Sequence, residues 1–520
     1  MKSAKKQPVV LIVRDGWGIA PPSPRNAISA ANTPNIDGYL KKYSNSRLKC
    51  SGEEVGLPKG YMGSSEVGHL NMGAGRIVLQ ELKKIMSAIE DGTLYDKPAF
   101  KNAIDNAVKN NSALHLMGLV QDEGVHAHQD HLFAIMKHAK EKGIKKVYIH
   151  FFADGRDTPP QSALHYIDET ENKIKEIAIG QIATVTGRYY AMDRSKNWQL
   201  TDQTYNAITK AEGIKVKTAR QAVERAYTED KNPDGSPITD EYIRPTIVGD
   251  YHGVKNGDSV IHFNFRQDRA IQLAKAFVEK NYEGKIDYKP EIVFCGLTRY
   301  YDTFKYNALP PMDEDMGMKN LLGEVISASG LKQLRISETQ KFRHVTSFFN
   351  GKLLKPYPNE DRIEIKGTID PSEFAVYPQM NALDITQEIE RQIELKKYDF
   401  ILVNFANCDM VGHTGIFKSV IKAVETVDTC TGRVTQKALD NGYTVLITAD
   451  HGNAEEMAEE KTGNIKTAHS INPVELIAIN KNADIKLKTE GILSDIAPTV
   501  LELLDIKIPK EMTSQNLIIK

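Results

Sequence analysis

The sequence predicts an α/β protein of two domains, each a mainly parallel sheet flanked by helices, and three observations carry that prediction. Its 520 residues exceed what one hydrophobic core supports. Short β-branched, apolar runs alternate with stretches of helical period, the pattern of βαβ units. Most of those runs end in charged residues, as strands do where they open onto a ligand crevice at the carboxyl edge of an open sheet.

Taken in order, the first run is PVVLIV near residue 10, followed by Asp15. ALHLMGLV near 115 leads into DEGVHAH, KVYIHFF near 149 into ADGRD, and IATVT near 184 into GRYYAMDR. SVIHFNF leads into RQDR, DFILVNFA into NCDMVGH and TVLITA into DHGN, while EIVFCGL and PVELIAI are further strand candidates. One charged strand end means little, but seven in one chain point to a site or to two sites. They also divide by chemistry. The first eighty residues and the last two hundred carry Asp15, Asp409, His413, Asp450, His451 and His469, whereas the middle carries Arg156, Arg188, Arg194, Arg266 and Arg269. The simplest organisation is a metal-type domain built from residues 1–79 and 316–520, with an anion-type domain, residues 80–315, inserted in it. Asn307 to Met318, NALPPMDEDMGM, reads as a proline-rich return linker, and the outgoing linker falls near Arg76 to Gln80.

Composition narrows the class. The chain is 41% hydrophobic and 26% charged, with 67 basic against 68 acidic residues, which argues against bulk nucleic-acid binding. Basic clusters such as KKYSNSRLK, Lys41 to Lys49, read as solvated surface. Cys50, Cys295, Cys408 and Cys430 lie far apart without CxxC pairing, as expected of small core residues in a reducing compartment. The apolar run VVLIV is ended at once by Arg14 and Asp15, so it is no signal peptide, and no stretch is long enough to cross a bilayer. A soluble, cytoplasmic protein with no membrane partner is expected.

GYMGSSEVGHL, Gly60 to Leu70, places two serines among glycines without forming a G-x-S-x-G elbow. Ser64 or Ser65 before Glu66 and Val67 is also a helix N-cap signal. The MGAGR that follows lacks the remainder of a dinucleotide fingerprint. Asp409 and His413 are four apart and share a face if that segment is helical; if it is a loop, the spacing says nothing. Asp450 and His451 are adjacent, which is natural where a strand ends and the backbone turns. With Asp15 and His469 they make six oxygen and nitrogen donors and no thiolate, a set suited to a pair of divalent ions. Mn²⁺ is the natural choice, with Zn²⁺, Co²⁺ and Mg²⁺ remaining open. Two such ions clamp an in-line phosphoryl displacement, and a serine hydroxyl within reach of one loses its proton near neutral pH. Ser65 then needs no histidine base.

Ordered along almost the whole chain are DGWG at Asp15, MGSSEVGHLNMGAGR, QDEGVHAH, ADGRDTPP, TGRYYAMDR, FNFRQDRA, SETQKFRHVTSFFNG, NCDMVGHTG, TADHGNAE and AHS. In these segments the chain resembles the cofactor-independent (2,3-bisphosphoglycerate-independent) phosphoglycerate mutases, a family of the alkaline-phosphatase-like metalloenzymes. The resemblance implies an alkaline-phosphatase-like metal domain with an inserted transferase domain, and interconversion of 3- and 2-phosphoglycerate through a phosphoserine at Ser65. It implies one manganese on Asp409, His413 and His469, and another on Asp15, Ser65, Asp450 and His451. Substrate contacts are implied for His126, Arg156, Asp157, Arg188, Arg194, Arg266, Arg269 and Lys341, with Asp157 and His126 moving protons and Lys341 offsetting phosphoryl charge. It further implies a monomer, and closure of the two domains to keep water from the phosphoserine. KFRHVTSFF around Lys341 and His344, and DRSKNW after Arg194, depart from the family pattern without touching the named side chains. The rival readings are a phosphomonoesterase or pentose phosphomutase, which need no large arginine-rich insert, and a non-catalytic phosphoglycerate-binding protein, which need not keep Ser65 and the metal ligands.

Overall fold

The structure, a computed structural model, describes residues 7–310, 318–459 and 463–519. The chain divides into two compact units, Met1–Gln80 with Met316–Lys520, and Glu81–Asp315. Residues 311–317 of the expected return linker lie outside the described residues.

Among the described residues the discontinuous unit is built on eight strands: β1 (Val9–Arg14), β2 (Asn45–Lys49), β10 (Gln333–Glu338), β11 (Glu360–Ile365), β12 (Phe400–Phe405), β13 (Thr444–Thr448), β14 (Val474–Ile479) and β15 (Glu490–Ile492). Their order is β11-β10-β12-β1-β13-β14-β2-β15. β1 runs parallel to both β12 and β13. Every residue of β1 is buried, because helices cover both faces of a parallel sheet; hence its continuous apolar run. β14 is antiparallel to both of its neighbours. The register sets Arg14 beside Phe405 and Val13 beside Thr448, so Asp15, the segment after Phe405 and Asp450 all leave the sheet at one edge.

One stretch differs from the sequence reading, and another strand went unread in it. Lys41 to Lys49 is not solvated surface throughout: residues 45–49 form β2, burying Ser46 and Leu48 while Asn45, Arg47 and Lys49 face out. Its charges hid a period-two alternation. QLRISE forms β10 although it carries Arg335, whose buried guanidinium lies 4.8 Å from the Phe349 ring and 5.1 Å from that of Phe400.

The inserted unit has seven strands among the described residues: β3 (Leu114–Leu119), β4 (Val147–Ala153), β5 (Gln181–Gly187), β6 (Ile214–Val216), β7 (Thr246–Val248), β8 (Ser259–His262) and β9 (Val293–Gly296), in the order β6-β7-β5-β4-β3-β8-β9. All pair in parallel except β5 with β7. Leu119 pairs with Phe152, Ala153 with Gly187 and Met117 with His262, so the loops that follow β3, β4, β5 and β8 emerge together. The four cysteines are free and buried. No helix among the described residues is long and apolar enough to cross a membrane.

Candidate active site

Ser64 is the N-cap of the helix Ser65–Ala74, its hydroxyl accepting from the Val67 amide at 3.4 Å. Ser65 thereby begins the helix and is buried, with its hydroxyl turned toward the end of β1. Two glycines let the surrounding backbones meet. A Cβ on Gly68 would lie 2.7 Å from the Asp450 carbonyl oxygen, and one on Gly16, whose φ is +77°, would lie 2.8 Å from the Asp409 backbone. Residues Asn407–Gly412 are helical, which puts Asp409 and His413 on one face.

The described side chains converge on Lys341, which follows β10 in the short helix Thr339–Arg343. Its Nζ lies 2.5 Å from Ser65 Oγ, 2.8 Å from Asp15 Oδ1 and 2.7 Å from Asp409 Oδ2. Ser65 Oγ is also 2.9 Å from His451 Nε2 and 3.2 Å from Asp15 Oδ1. Two groups of donors have the spacing of a metal site: Asp15 with Asp450 and His451, and Asp409 with His451 and His469. His413 Nε2 joins the second group, 3.2 Å from Asp409 Oδ1 and 3.3 Å from His469 Nε2. His451 is within reach of either group, so geometry alone does not divide the imidazoles as the family pattern does.

Electrostatics fits divalent ions here. Asp15, Asp409, Asp450 and Lys341 are all buried, and one ammonium against three carboxylates leaves two negative charges unmet. Burial, then the neighbouring Asp450, pushes Asp15 well above the usual carboxylate range despite Lys341. Asp409 and Asp450 are pushed up by burial too, but Lys341 and the nearby histidines outweigh it and hold both well below that range. Burial pushes His451 down to about 4, leaving its imidazole neutral and free to coordinate. Asp450 Oδ2 is buried and makes no hydrogen bond, its nearest donor being His69 Nδ1 at 3.3 Å, which leaves it open to a ligand role. Hard oxygen and imidazole donors without thiolate complete the fit.

In the inserted unit the arginines gather with acids. Arg188 is buried and its NH1 lies 2.6 Å from both Asp154 Oδ1 and Asp157 Oδ2. Asp157 Oδ2 is 3.8 Å from His126 Nε2, and His126 Nδ1 is 3.9 Å from Asp268. Asp268 in turn takes Arg194 at 2.7 Å and Arg266 at 3.3 Å. Arg269 donates to the Met192 carbonyl, and half-exposed Arg156 approaches Glu241 at 3.4 Å. Burial, then Arg188, Arg194 and Arg156, lowers the Arg269 pKa, which shows how closely these cations crowd. Burial and then Arg188 push His126 down to about 4.

Sequence reasoning passed over the residues that brace these groups. Asp154 accepts from the backbone amides of Arg156 and Asp157 as well as from Arg188. Glu455 ties the Gly18 and Asn453 amides to Ser470. His69 and Asn404 stand behind Asp15 and Ser65. Asp154 and Glu455 are carboxylates inside quoted motifs, and that was their only signal; Asn404 lay hidden in an apolar strand run.

Paired carboxylate–imidazole groups at the carboxyl edge of a mainly parallel sheet place the chain among the divalent-metal α/β enzymes. The sequence comparisons narrow this. Residues 85–302, nearly all of the inserted unit, match the family described as BPG-independent PGAM N-terminus. Over 518 residues the chain is 46% identical to a 2,3-bisphosphoglycerate-independent phosphoglycerate mutase of Clostridium tetani, covering 99% of each. It is 47% identical over 517 residues to the protein of the same name from Clostridium kluyveri, again covering 99% of each. A crystal structure of a Leishmania mexicana phosphoglycerate mutase at low cobalt concentration superimposes with a TM-score of 0.71 at 29% identity, covering 100% of this chain and 99% of that one. The chain belongs to the 2,3-bisphosphoglycerate-independent phosphoglycerate mutase family.

Proposed function

We propose that this chain interconverts 3- and 2-phosphoglycerate through a phosphoserine at Ser65, with two divalent ions and without 2,3-bisphosphoglycerate. The observation that carries this reading is the Ser65 hydroxyl, buried at a helix start among Asp15, His451 and Lys341. Family membership at 46% identity over nearly the full length supports the reaction.

The discontinuous unit does the phosphoryl transfer. One ion is held by Asp409, His413 and His469, the other by Asp15, Ser65, Asp450 and His451. Bound there, the ions supply the charge that lowers the serine's pKa and offsets charge on the phosphoryl group. Ser65 Oγ forms a bond to phosphorus as the bond to the glycerate oxygen breaks, with Lys341 beside the equatorial oxygens. The freed glycerate oxygen takes a proton from His126 or Asp157, and the same pair removes one from the other hydroxyl. That hydroxyl attacks the phosphoserine and restores Ser65. Meanwhile the inserted unit's Arg156, Arg188, Arg194, Arg266 and Arg269 keep the glycerate carboxylate, since guanidinium holds a carboxylate by two parallel bonds.

Mn²⁺ is the ion this reading favours, from the hard oxygen and nitrogen donors. The protein is taken as a monomer from the family resemblance, and as cytoplasmic because its four free, buried cysteines fit a reducing compartment. The test is a mutase assay on metal-stripped protein given 3-phosphoglycerate and Mn²⁺ without 2,3-bisphosphoglycerate, with Ser65→Ala in parallel. Mn²⁺-dependent 2-phosphoglycerate, abolished in the variant, is expected. Release of inorganic phosphate without 2-phosphoglycerate would refute the mutase reading.

A further inference from the structure

Behind the serine and two of the carboxylates lies a closed circuit of buried hydrogen bonds. Asn404, in the middle of β12, directs Nδ2 at Asp15 Oδ2, 2.7 Å away, and the same nitrogen lies 3.2 Å from His69 Nε2. As a metal ligand Asp15 is ionised and can only accept, so the Asn404 atom facing it is the amide nitrogen, and the side chain cannot be flipped. Its second hydrogen then faces His69 Nε2, which must be the acceptor. The ring proton of His69 is thereby assigned to Nδ1. Nδ1 lies 2.9 Å from the Ser65 carbonyl oxygen and 3.3 Å from Asp450 Oδ2. The Ser65 hydroxyl closes the circuit at 3.2 Å from Asp15 Oδ1.

We infer that His69 and Asn404 are positioning residues that orient Asp15, Ser65 and Asp450 together, and so select the ligand geometry of one of the two metal positions and not the other. The inference rests on the metal reading proposed above. Asn404 touches Asp15 through one nitrogen, and His69 touches both Ser65 and Asp450 through the other end of the chain. Asp409 is held by a different set: Asn453 approaches its Oδ1 at 3.4 Å, and His413 donates from Nδ1 to the Thr467 carbonyl, 2.7 Å away. The Asn404 carbonyl oxygen is buried with no hydrogen-bond partner, so the side chain is placed for what its nitrogen reaches and not for its own satisfaction. A purely structural role would be served as well by an apolar residue of the same shape in this fully buried strand. Outer partners that orient ligands in this way are worth roughly tenfold to a hundredfold in metal affinity.

The test is Mn²⁺ titration of the metal-stripped full chain, followed by the electron-spin-resonance signal of free Mn²⁺. Wild type should take two ions. Asn404→Leu and His69→Gln should each keep one ion at wild-type affinity and bind the other about tenfold to a hundredfold more weakly. The melting temperature of each metal-free variant reports folding, and either folded variant is sufficient. Asp15→Asn is the control that removes a ligand outright. If both ions weaken equally, or neither does, while Asp15→Asn loses one, the circuit is only structural and the inference fails. If Asp15→Asn still takes two ions as wild type does, the metal reading itself fails, and the inference with it.

Discussion

Gly68→Ala adds one methyl group where the helix carrying Ser65 meets Asp450. The new Cβ would lie 2.7 Å from the Asp450 carbonyl oxygen and 2.8 Å from its Cβ. Ordinary carbon–carbon contact is about 3.5–4.0 Å, so the two backbones must part by roughly 1 Å. Overpacking of this kind costs about 1–3 kcal/mol, while alanine gains about 1 kcal/mol over glycine in a helix. The net loss of stability is therefore about 0–2 kcal/mol. Catalysis should suffer more, because a displacement of about 1 Å between reacting groups can cost on the order of a hundredfold in rate. The expected signature is a kcat/KM reduced about tenfold to a hundredfold in a coupled 2-phosphoglycerate assay, with a melting temperature lowered by only a few degrees. A variant that melts as predicted yet turns over within twofold of wild type, with both Mn²⁺ ions bound, would show that Asp450 need not sit where it does. The role given to it would then be wrong.

Other perturbations separate the roles further. His126 is held at about 4 by burial and by Arg188, so any acid limb that it sets in kcat/KM should fall near pH 4 instead of near its ordinary value of about 6.5. Its folded pKa is the lower one, so between those two pH values the unfolded chain binds the proton and stability falls as pH falls; a limb near 6.5 that disappears in His126→Gln would contradict this. Lys341→Met leaves three buried carboxylates without their ammonium and should destabilise the metal-free protein by about 3–5 kcal/mol. Added Mn²⁺ should then recover much of the melting temperature but not the turnover. Asp230 is buried between Arg225 and Arg244; burial pushes its pKa up, but the two arginines hold it below the usual range. Its contribution, about 1 kcal/mol after allowing for the half-exposed Arg244, is present above about pH 4 and lost as pH falls through the lower folded value. The gap in melting temperature between wild type and Asp230→Asn should therefore close in acid, and a gap that persists at pH 2 would rule out the ion pairs as its cause.

Strand ends were the legible part of this chain because parallel strands buried on both faces leave long apolar runs, and whatever follows them stands out. Asp15, Asp450 and the Asp409 segment were each visible that way, and β-sheet register brings them to one edge. What composition conceals is direction. Lys41 to Lys49 looked solvated because on β2 the outward Asn45, Arg47 and Lys49 alternate with the buried Ser46 and Leu48, which leaves the local charge density high. Arg335 interrupts the apolar pattern of QLRISE, yet its guanidinium spreads over two phenylalanine rings. Asn404 sits inside DFILVNFA, and only pairing of β12 with β1 aims its amide at Asp15. His69 was in view from the start, four residues after Ser65, but an i to i+4 contact with a serine carbonyl belongs to any helix; its second partner comes from a strand more than three hundred residues away.

The two units differ in the charge that their clusters leave unmet, and the proposed chemistry depends on that difference. In the discontinuous unit three buried carboxylates share one ammonium, and the strain is uneven: Asp15 is pushed up while Asp409 and Asp450 are held down. Such an arrangement is stable only if it gathers further positive charge, and divalent ions meet that need without consuming a proton. In the inserted unit four arginines are paired with Asp154, Asp157, Asp268 and Glu241, while among the described residues Arg269 has only the Met192 carbonyl, and its pKa is lowered by burial and then by Arg188, Arg194 and Arg156. That crowding is relieved by an anion with oxygens to share, and a carboxylate is the anion that guanidinium matches best. A phosphatase needs only the first of these fields, because its alcohol product can leave. A mutase must keep the glycerate while phosphorus stays on the serine, and the second field gives it a reason to stay. The charge left unmet in each unit, more than any single contact, is why the same serine chemistry should end in transfer back to glycerate instead of to water.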